Sequence, residues 1–174
     1  MAGDDGQTFD SDRWRTTESR AVNLAHWEER VPAHVASPDY GVHEIIANSD
    51  HLSSTVRFDL PRLGSVAGLR GVHLQCHFGS DTVSLSRLGA TMVGLDFSPA
   101  AVQAARDLVA RSGDAVTFVQ GDVYDAVAEL GAERFDLVYT GIGALGWLPD
   151  ISQWAATVAD LLGGADGDLL VRLA

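Results

Sequence analysis

Four short stretches hold the residues of this chain whose types and spacing could bind a ligand. Each follows an apolar run, and their members are Gln75, Cys76, His77, Phe78, Gly79, Asp96, Phe97, Asp122, Val123 and Thr140. A carboxylate such as Asp96 can accept hydrogen bonds from both hydroxyls of a ribose when it ends a buried strand. Asp122 is placed to accept from the exocyclic amine of adenine, with the backbone N–H of Val123 facing a ring nitrogen. The spacing therefore predicts an adenosine site.

The stretch VHLQCHFGSDT, residues 72–82, decides between two adenosine cofactors. A dinucleotide such as NAD brings a pyrophosphate, and the backbone needs glycines to approach its oxygens at a helix N-terminus. Here Gln75 and His77 stand at the first two glycine positions, and Gly79 is the one glycine in the bend. S-Adenosylmethionine has no phosphate and makes no such demand. The bulky bend therefore argues against NAD and is compatible with S-adenosylmethionine.

Regular alternation after Gly71 predicts the elements that position these stretches. Apolar runs predict strands at 72–76, 91–96, 116–120, 135–140 and 168–173, and helical patterns fall at 81–90, 99–112, 124–130 and 151–162. This order predicts an α/β fold: a Rossmann-like doubly wound parallel sheet of five strands with helices on both faces. Right-handed crossovers place ligand sites beyond the carboxyl ends of such strands, where all four stretches would meet.

The residues before this sheet predict a different organisation. Residues 1–16 are polar and are predicted as a flexible tail, 17–70 as an N-terminal helical lid, and 71–174 as the cofactor-binding domain. A helix is expected over 17–31, closed by Pro32, with a second near 40–47. Pro61 and Gly64 are expected to lie in a loop.

Composition limits the classes of partner. The chain has 174 residues, 46% apolar and 21% charged, which suits one domain with a hydrophobic core. With 12 basic and 24 acidic residues the net charge is −12, which argues against nucleic acid and anionic membranes as partners and leaves a small-molecule substrate. Cys76 is the one cysteine, so an intrachain disulfide and a cysteine metal cluster are excluded and a cytoplasmic setting is predicted. The histidines show no metal-ligand spacing.

The run HLQCHFGSDTVSLSRLGATMVGLDFSPAAVQAAR resembles the class I S-adenosylmethionine-dependent methyltransferases. More narrowly, it resembles a bacterial subgroup whose first motif reads LQCHFG followed by an acidic residue. The resemblance implies methyl transfer to an oxygen, nitrogen or carbon of a small molecule. It also implies cofactor contacts from 75–79, Asp96 on the ribose, Phe97 against the adenine, and Asp122 with Val123 at the adenine edge. The segment 139–151 would line the methyl-transfer end, and the helix around Trp27 would fold over the cofactor.

Several residues keep two interpretations. His77 and Tyr139 are the candidate bases, yet either could simply form structural hydrogen bonds. Trp147 could stack on a substrate or anchor a helix to the sheet. Tyr139 could also contact a substrate. Cys76 fits a small core residue better than a nucleophile.

The resemblance also predicts what is missing. Methyltransferases of this class continue past the fifth strand into two more, so the chain is expected to be C-terminally truncated, without the last two strands of a seven-stranded sheet. An edge strand with unpaired N–H and C=O groups would favour a homodimer. A truncated homologue that binds S-adenosylmethionine or S-adenosylhomocysteine without methylating is one alternative. A cyclase that reuses the fold and an NAD-dependent enzyme are the others.

Overall fold

The computed structural model describes residues 17–131, 135–163 and 168–171, and the predicted flexible tail lies outside them. Five parallel strands form one sheet in the order β3-β2-β1-β4-β5. They are β1 (Arg70–Leu74), β2 (Thr91–Asp96), β3 (Thr117–Gln120), β4 (Leu137–Thr140) and β5 (Asp168–Val171). The predicted Rossmann-like parallel sheet is confirmed, with strand positions shifted by no more than two residues.

Seven α-helices are present in the described part of the chain. They are α1 (Thr17–Ala36), α2 (Val42–Ala47), α3 (Ser54–Leu63), α4 (Ser80–Arg87), α5 (Pro99–Ser112), α6 (Ala126–Leu130) and α7 (Ile151–Leu162). Local signals explain α5: the Ser98 hydroxyl accepts from the backbone N–H of Ala101 at 3.0 Å, and Gly113 ends the helix with a φ of 81°. Asp150 caps α7 in the same way, as its sequence predicts.

Helices cover both faces of the sheet because residues that point to either face are buried, as all four residues of β4 are. On one face Val72, Leu74 and Val138 pack against Trp154 and Val158 of α7. On the other face a second cluster joins α3 and α4 to the sheet through Val56, Leu85, Met92, Leu137 and Tyr139. The strands therefore have fixed orientations, and the side chains beyond their ends are held in place.

The strand order reverses beside β1, which pairs with β2 on one side and β4 on the other. Crossovers leave β1 and β4 in opposite directions, so a crevice opens between their carboxyl ends. Leu74, the last residue of β1, is level with both Leu95 and Thr140. The four predicted ligand stretches consequently begin at this crevice.

Two helix boundaries in the N-terminal segment were predicted wrongly. Helix α1 continues through Pro32 to Ala36. Proline has no backbone N–H, so the helix lacks one hydrogen bond there, and contacts made by the next turn compensate for it. The His34 ring stacks on Tyr40 with centroids 5.0 Å apart, and Val35 packs against the cluster around Phe78. Pro61 lies inside α3, not in a loop, because Val56 and Asp59 of that helix are buried against the sheet side.

Strand β5 lies at one edge of the sheet among the described residues. Its pairing with a second copy of the chain stays a prediction. None of the described helices combines the length and the apolar character needed to cross a membrane.

Candidate functional site

A cavity of about 520 Å³ opens at the carboxyl ends of β1, β2, β3 and β4, covered on one side by α1. Its volume lies in the range of small-molecule sites. The walls include most residues that the sequence predicted for the cofactor: Gln75, Cys76, His77, Asp96, Phe97, Asp122 and Val123. Trp147, the predicted substrate contact, also lines it.

The bend after β1 keeps a glycine-like backbone with bulky residues. Gln75 has a φ of 56° and His77 a φ of 52°, in the left-handed region that costs a residue with a Cβ about 1–2 kcal/mol. Hydrogen bonds hold this conformation: Gln75 Nε2 donates to the Ala144 carbonyl at 3.1 Å, and His77 N–H donates to Asp96 at 2.7 Å. Within the described chain, Gln75 Oε1 and His77 Nε2 are buried without a hydrogen-bond partner. A ligand could supply those partners.

Asp96 is held rigidly at the end of β2, with 5% of its surface exposed. One carboxylate oxygen accepts from His77 N–H at 2.7 Å and the other from Ser98 N–H at 2.9 Å. Burial raises the pKa of Asp96 to about 6, and the nearby Glu28 carboxylate adds to the rise. Each oxygen keeps lone-pair capacity for a further donor, which is what two ribose hydroxyls require.

Asp122 and Val123 follow β3, but Asp122 already has partners. One oxygen accepts from the backbone N–H of Tyr124 at 3.0 Å, and the other lies 2.8 Å from the guanidinium of Arg20 in α1. The Arg20 guanidinium also lies over the Tyr124 ring, 5.3 Å from its centroid. Helix α1 therefore closes this end of the cavity through an ion pair.

Aromatic rings from α1 and the β4–α7 loop form the wall above the bend. The Trp27 ring meets His77 at 5.5 Å and Trp147 at 5.4 Å between centroids, and Asn23 donates to the Trp147 carbonyl at 3.2 Å. Burial, with a contribution from the charge of His34, lowers the pKa of His77 to about 4. His77 is consequently neutral at pH 7 and packed among rings.

A family model described as a methyltransferase domain matches residues 72–168, more than half of the chain. This chain belongs to the methyltransferase-domain family. It is 39% identical over 83 residues to an uncharacterized methyltransferase of Synechocystis sp., a match that covers 48% of this chain and 36% of that protein. The predicted methyltransferase family is thereby confirmed, and the narrower subgroup with the LQCHFG motif stays a prediction.

Solved structures agree with the family assignment. An S-adenosylmethionine-dependent methyltransferase from Mesorhizobium loti is 26% identical, with a TM-score of 0.57 over 73% of this chain and 54% of that one. Magnesium protoporphyrin IX methyltransferase from Synechocystis, solved with bound S-adenosylmethionine, is 21% identical and shares the fold, with a TM-score of 0.50 over 83% and 74% of the two chains. The methyltransferase domain described here spans about a third to a half of the length of the first two relatives.

Four predicted site residues of this methyltransferase domain lie outside the cavity walls. Phe78 is 1% exposed and packs against Val42 and Ile45, and a Cβ at Gly79 would collide with the Phe118 ring, so both serve packing. The Thr140 side chain is buried in the sheet. Tyr139 is also fully buried, and its hydroxyl donates to Asp59 at 2.9 Å.

The predicted roles of Tyr139 as base and substrate contact do not fit this position. Successive strand residues point to opposite faces, and the tyrosine ring lies in the cluster under α3 and α4. Its hydroxyl is therefore a structural group that pairs with a buried carboxylate.

Sequence reasoning overlooked other residues of the site. Glu28 accepts from the Ser98 hydroxyl and from the backbone N–H of Ala100 at 3.0 Å, which fixes α1 on the start of α5. His73 and Asp81 also line the cavity. His73 could have been found as a polar residue inside an apolar strand. The contacts of Glu28 could not, because no local sequence pattern predicts them.

Proposed function

We propose that this chain forms the cofactor-binding part of an S-adenosylmethionine-dependent methyltransferase that acts on a small molecule. The observation that carries the proposal is the bend from Gln75 to His77. Its backbone has the conformation usual for glycine, yet both positions carry large side chains that are held by hydrogen bonds to Ala144 and Asp96, so a diphosphate has less room there than beside two glycines. A phosphate-free adenosyl compound fits this arrangement better than a dinucleotide does.

The residues in the cavity suit such a cofactor from end to end. Asp96 offers two charged acceptors to the ribose, and Phe97 and Val123 offer an apolar surface and a backbone N–H beside it. Gln75 Oε1 and His77 Nε2, both buried without partners in the described residues, offer polar groups toward the methionyl part. When bound, S-adenosylmethionine supplies an activated methyl group to a nucleophile.

The protein contributes alignment and exclusion of water. Contacts of α1 cover the cavity: Arg20 pairs with Asp122, Trp27 packs on His77, and Glu28 binds the start of α5. Direct displacement of the methyl group from sulfur needs no covalent intermediate with a side chain, so these residues need not act as nucleophiles. Of the two predicted bases, His77 lines the cavity and Tyr139 does not, and the imidazole of His77 is neutral at pH 7.

Calorimetry with three ligands tests the cofactor assignment. We expect S-adenosylmethionine and S-adenosylhomocysteine to bind with a 1:1 stoichiometry, and NAD to bind at least 100-fold more weakly because the bend excludes its pyrophosphate. NAD binding as tight as S-adenosylhomocysteine binding would overturn the proposal.

Transfer of a labelled methyl group tests the activity separately. A pool of small molecules extracted from cells is incubated with the protein and methyl-labelled S-adenosylmethionine, and products are detected by chromatography. Labelled small-molecule products are expected. Tight cofactor binding without any labelled product would instead support a binding module.

A further inference from the structure

The loop between β4 and α7 is apolar although it reaches the surface. Residues 141–149 read GIGALGWLP, so no side chain in this stretch is charged, and the indole N–H of Trp147 is its one side-chain hydrogen-bonding group. Surface loops are normally built from polar residues together with glycine and proline. The two leucines have a structural role, because Leu145 and Leu148 pack against the core cluster that contains α7. The other large side chains of the loop, Ile142 and Trp147, need a different explanation.

Ile142 and Trp147 line the cavity and are accessible there. Ile142 is 47% exposed and Trp147 is 39% exposed, and neither belongs to an apolar cluster of the described residues. Scattered exposed apolar side chains are common on proteins, but these two come from one loop and line one cavity. A bound apolar group would remove both side chains from water, which is favourable.

The Trp147 ring is held in position by contacts with α1. Its centroid lies 5.4 Å from that of Trp27 and 5.1 Å from that of His26, and its backbone carbonyl accepts a hydrogen bond from Asn23 at 3.2 Å. A ring that is already fixed loses little freedom when a ligand binds, so its contact contributes more to affinity. An aromatic ring of a ligand can stack on such an indole or meet it edge to face.

The same loop is joined to the bend after β1. The Nε2 of Gln75 donates to the carbonyl of Ala144 at 3.1 Å, and the Trp27 ring that contacts Trp147 also lies 5.5 Å from the His77 ring. Gln75 and His77 carry the polar groups proposed for the methionyl part of the cofactor. A ring bound against the loop would consequently lie next to the methionyl end, where the methyl group is.

The charged groups of the cavity lie on walls other than this loop. The carboxylates are those of Asp39, Asp81, Asp96 and Asp122. The sequence contains no lysine, and Arg20, the one arginine among the described lining residues, pairs with Asp122 at 2.8 Å. An anionic acceptor would therefore meet repulsion. An ammonium group would lose its water against a loop without a carboxylate or amide side chain, which is costly, whereas an uncharged ring meets neither penalty.

We propose that the methyl acceptor is an uncharged molecule with an aromatic ring, and that this ring binds against Ile142 and Trp147. The inference rests on the proposed methyltransferase function and names the substrate class of the same site. The accepting atom forms a bond to the methyl carbon while the C–S bond breaks and its electron pair stays on sulfur. The proton of the accepting group passes to solvent.

Two variants remove the two contacts separately. Ile142→Ser replaces an exposed apolar side chain by a small polar one, and Trp147→Leu keeps an apolar side chain but removes the ring. Ile151→Ser is the matched control, because Ile151 is 50% exposed at the start of α7 and does not line the cavity. All three positions are at the surface, so the variants should fold, and a thermal unfolding midpoint near that of wild type verifies this.

Calorimetry at pH 7 measures the binding of four probes to the complex with S-adenosylhomocysteine. At this pH 2-naphthol is uncharged, 2-naphthoate is an anion, 2-naphthylmethylamine is a cation, and decahydro-2-naphthol is uncharged but not aromatic. We expect 2-naphthol to bind at least tenfold more tightly than either charged probe and at least threefold more tightly than the saturated alcohol. Ile142→Ser and Trp147→Leu should each weaken 2-naphthol binding at least fivefold, and Ile151→Ser should change it less than twofold.

Methyl transfer is the second readout of the substrate class. Small molecules extracted from cells are separated by ion exchange into uncharged, anionic and cationic fractions, and each fraction is incubated with the protein and methyl-labelled S-adenosylmethionine. We expect the label in a product of the uncharged fraction that absorbs in the near ultraviolet. Ile142→Ser should slow its formation at least fivefold, and Ile151→Ser less than twofold.

Other results overturn the inference in distinguishable ways. Label confined to a charged fraction, equal or tighter binding of a charged probe or of decahydro-2-naphthol, or wild-type binding of 2-naphthol by Ile142→Ser and Trp147→Leu would each overturn it while the methyltransferase proposal stands. If both variants weaken S-adenosylhomocysteine itself fivefold, this surface belongs to the cofactor and not to the acceptor. Failure of the wild-type protein to bind S-adenosylhomocysteine, or to label any fraction, would overturn the proposed function and this inference with it.

Discussion

Replacing Asp96 with asparagine tests how the cavity holds its ligand. In the protein each oxygen of Asp96 accepts one backbone N–H, from His77 at 2.7 Å and from Ser98 at 2.9 Å. One lone pair on each oxygen is left for a ribose hydroxyl. In Asp96→Asn an amide NH₂ replaces one oxygen and the side chain becomes neutral, so one ribose hydroxyl loses its acceptor and the other keeps only an uncharged one.

A hydrogen bond to a charged group contributes about 1.5–3 kcal/mol, which corresponds to roughly a 10- to 150-fold change in affinity. We therefore expect the Kd for S-adenosylhomocysteine to rise by that factor in Asp96→Asn. Calorimetry at pH 8 is the appropriate assay, because the pKa of Asp96 is about 6 and the wild-type carboxylate is then ionised. Asp160→Asn, on the exposed side of α7, is the control and should bind like wild type.

The pH dependence of binding provides a second readout for the same residue. As the pH falls through about 6, Asp96 becomes protonated and loses acceptor capacity, so wild-type affinity should fall about tenfold between pH 7 and pH 5. The Asp96→Asn variant should lack this dependence. A Kd within twofold of wild type at pH 8, in a variant with an unchanged circular dichroism spectrum, would refute the role of Asp96 in binding the ribose.

Three further predictions concern stability and electrostatics. Because the folded-state pKa of Asp96 is raised, its stabilising contribution is present below pH 3.8 and is lost as the pH rises through 6. Urea denaturation should show wild type gaining about 1 kcal/mol over Asp96→Asn at pH 5 compared with pH 8. Arg87→Met should lower the free energy of unfolding by about 3–5 kcal/mol, because it leaves Asp114 and three backbone carbonyls without the guanidinium that they contact. The control is Arg111→Met at an exposed position, which should change the free energy of unfolding by less than about 0.5 kcal/mol. Glu28→Gln keeps an acceptor and removes a charge, so the midpoint of the pH dependence of S-adenosylhomocysteine binding should move to lower pH; an unchanged midpoint would contradict the coupling between Glu28 and Asp96.

Some site residues could be found from the chain alone, because their signals are local. Asp96 ends an apolar run and is followed by Ser98 and Pro99, which start a helix in most contexts. The cavity accordingly contains Asp96, with its carboxylate fixed by the same turn. The motif after β1 likewise predicted that Gln75 and His77 would stand where glycines usually do, and their positive φ angles agree.

Other predicted site residues do not line the cavity, because packing against residues far along the chain decides which side chains reach it. Tyr139 and His73 are level in adjacent strands, and their rings meet at 4.8 Å between centroids. Tyr139 is held in the core by its bond to Asp59, whereas His73 lines the cavity. Successive residues of a strand point to opposite faces of the sheet. A motif can therefore be recognised correctly while a residue within it, such as Thr140, is buried in the sheet and does not reach the cavity.

The sequence by itself determined the order of strands and helices along the chain, the helix caps and the family, because helix and strand propensity, apolar periodicity and capping act over a few residues. Only the tertiary structure decided that α1 passes Pro32 and covers the cavity, that Arg20 pairs with Asp122, and that Glu28 binds the start of α5. These contacts join residues about 70 to 100 positions apart. No local pattern encodes them, since they form only when the sheet has brought the strand ends together and burial has fixed what each side chain can reach.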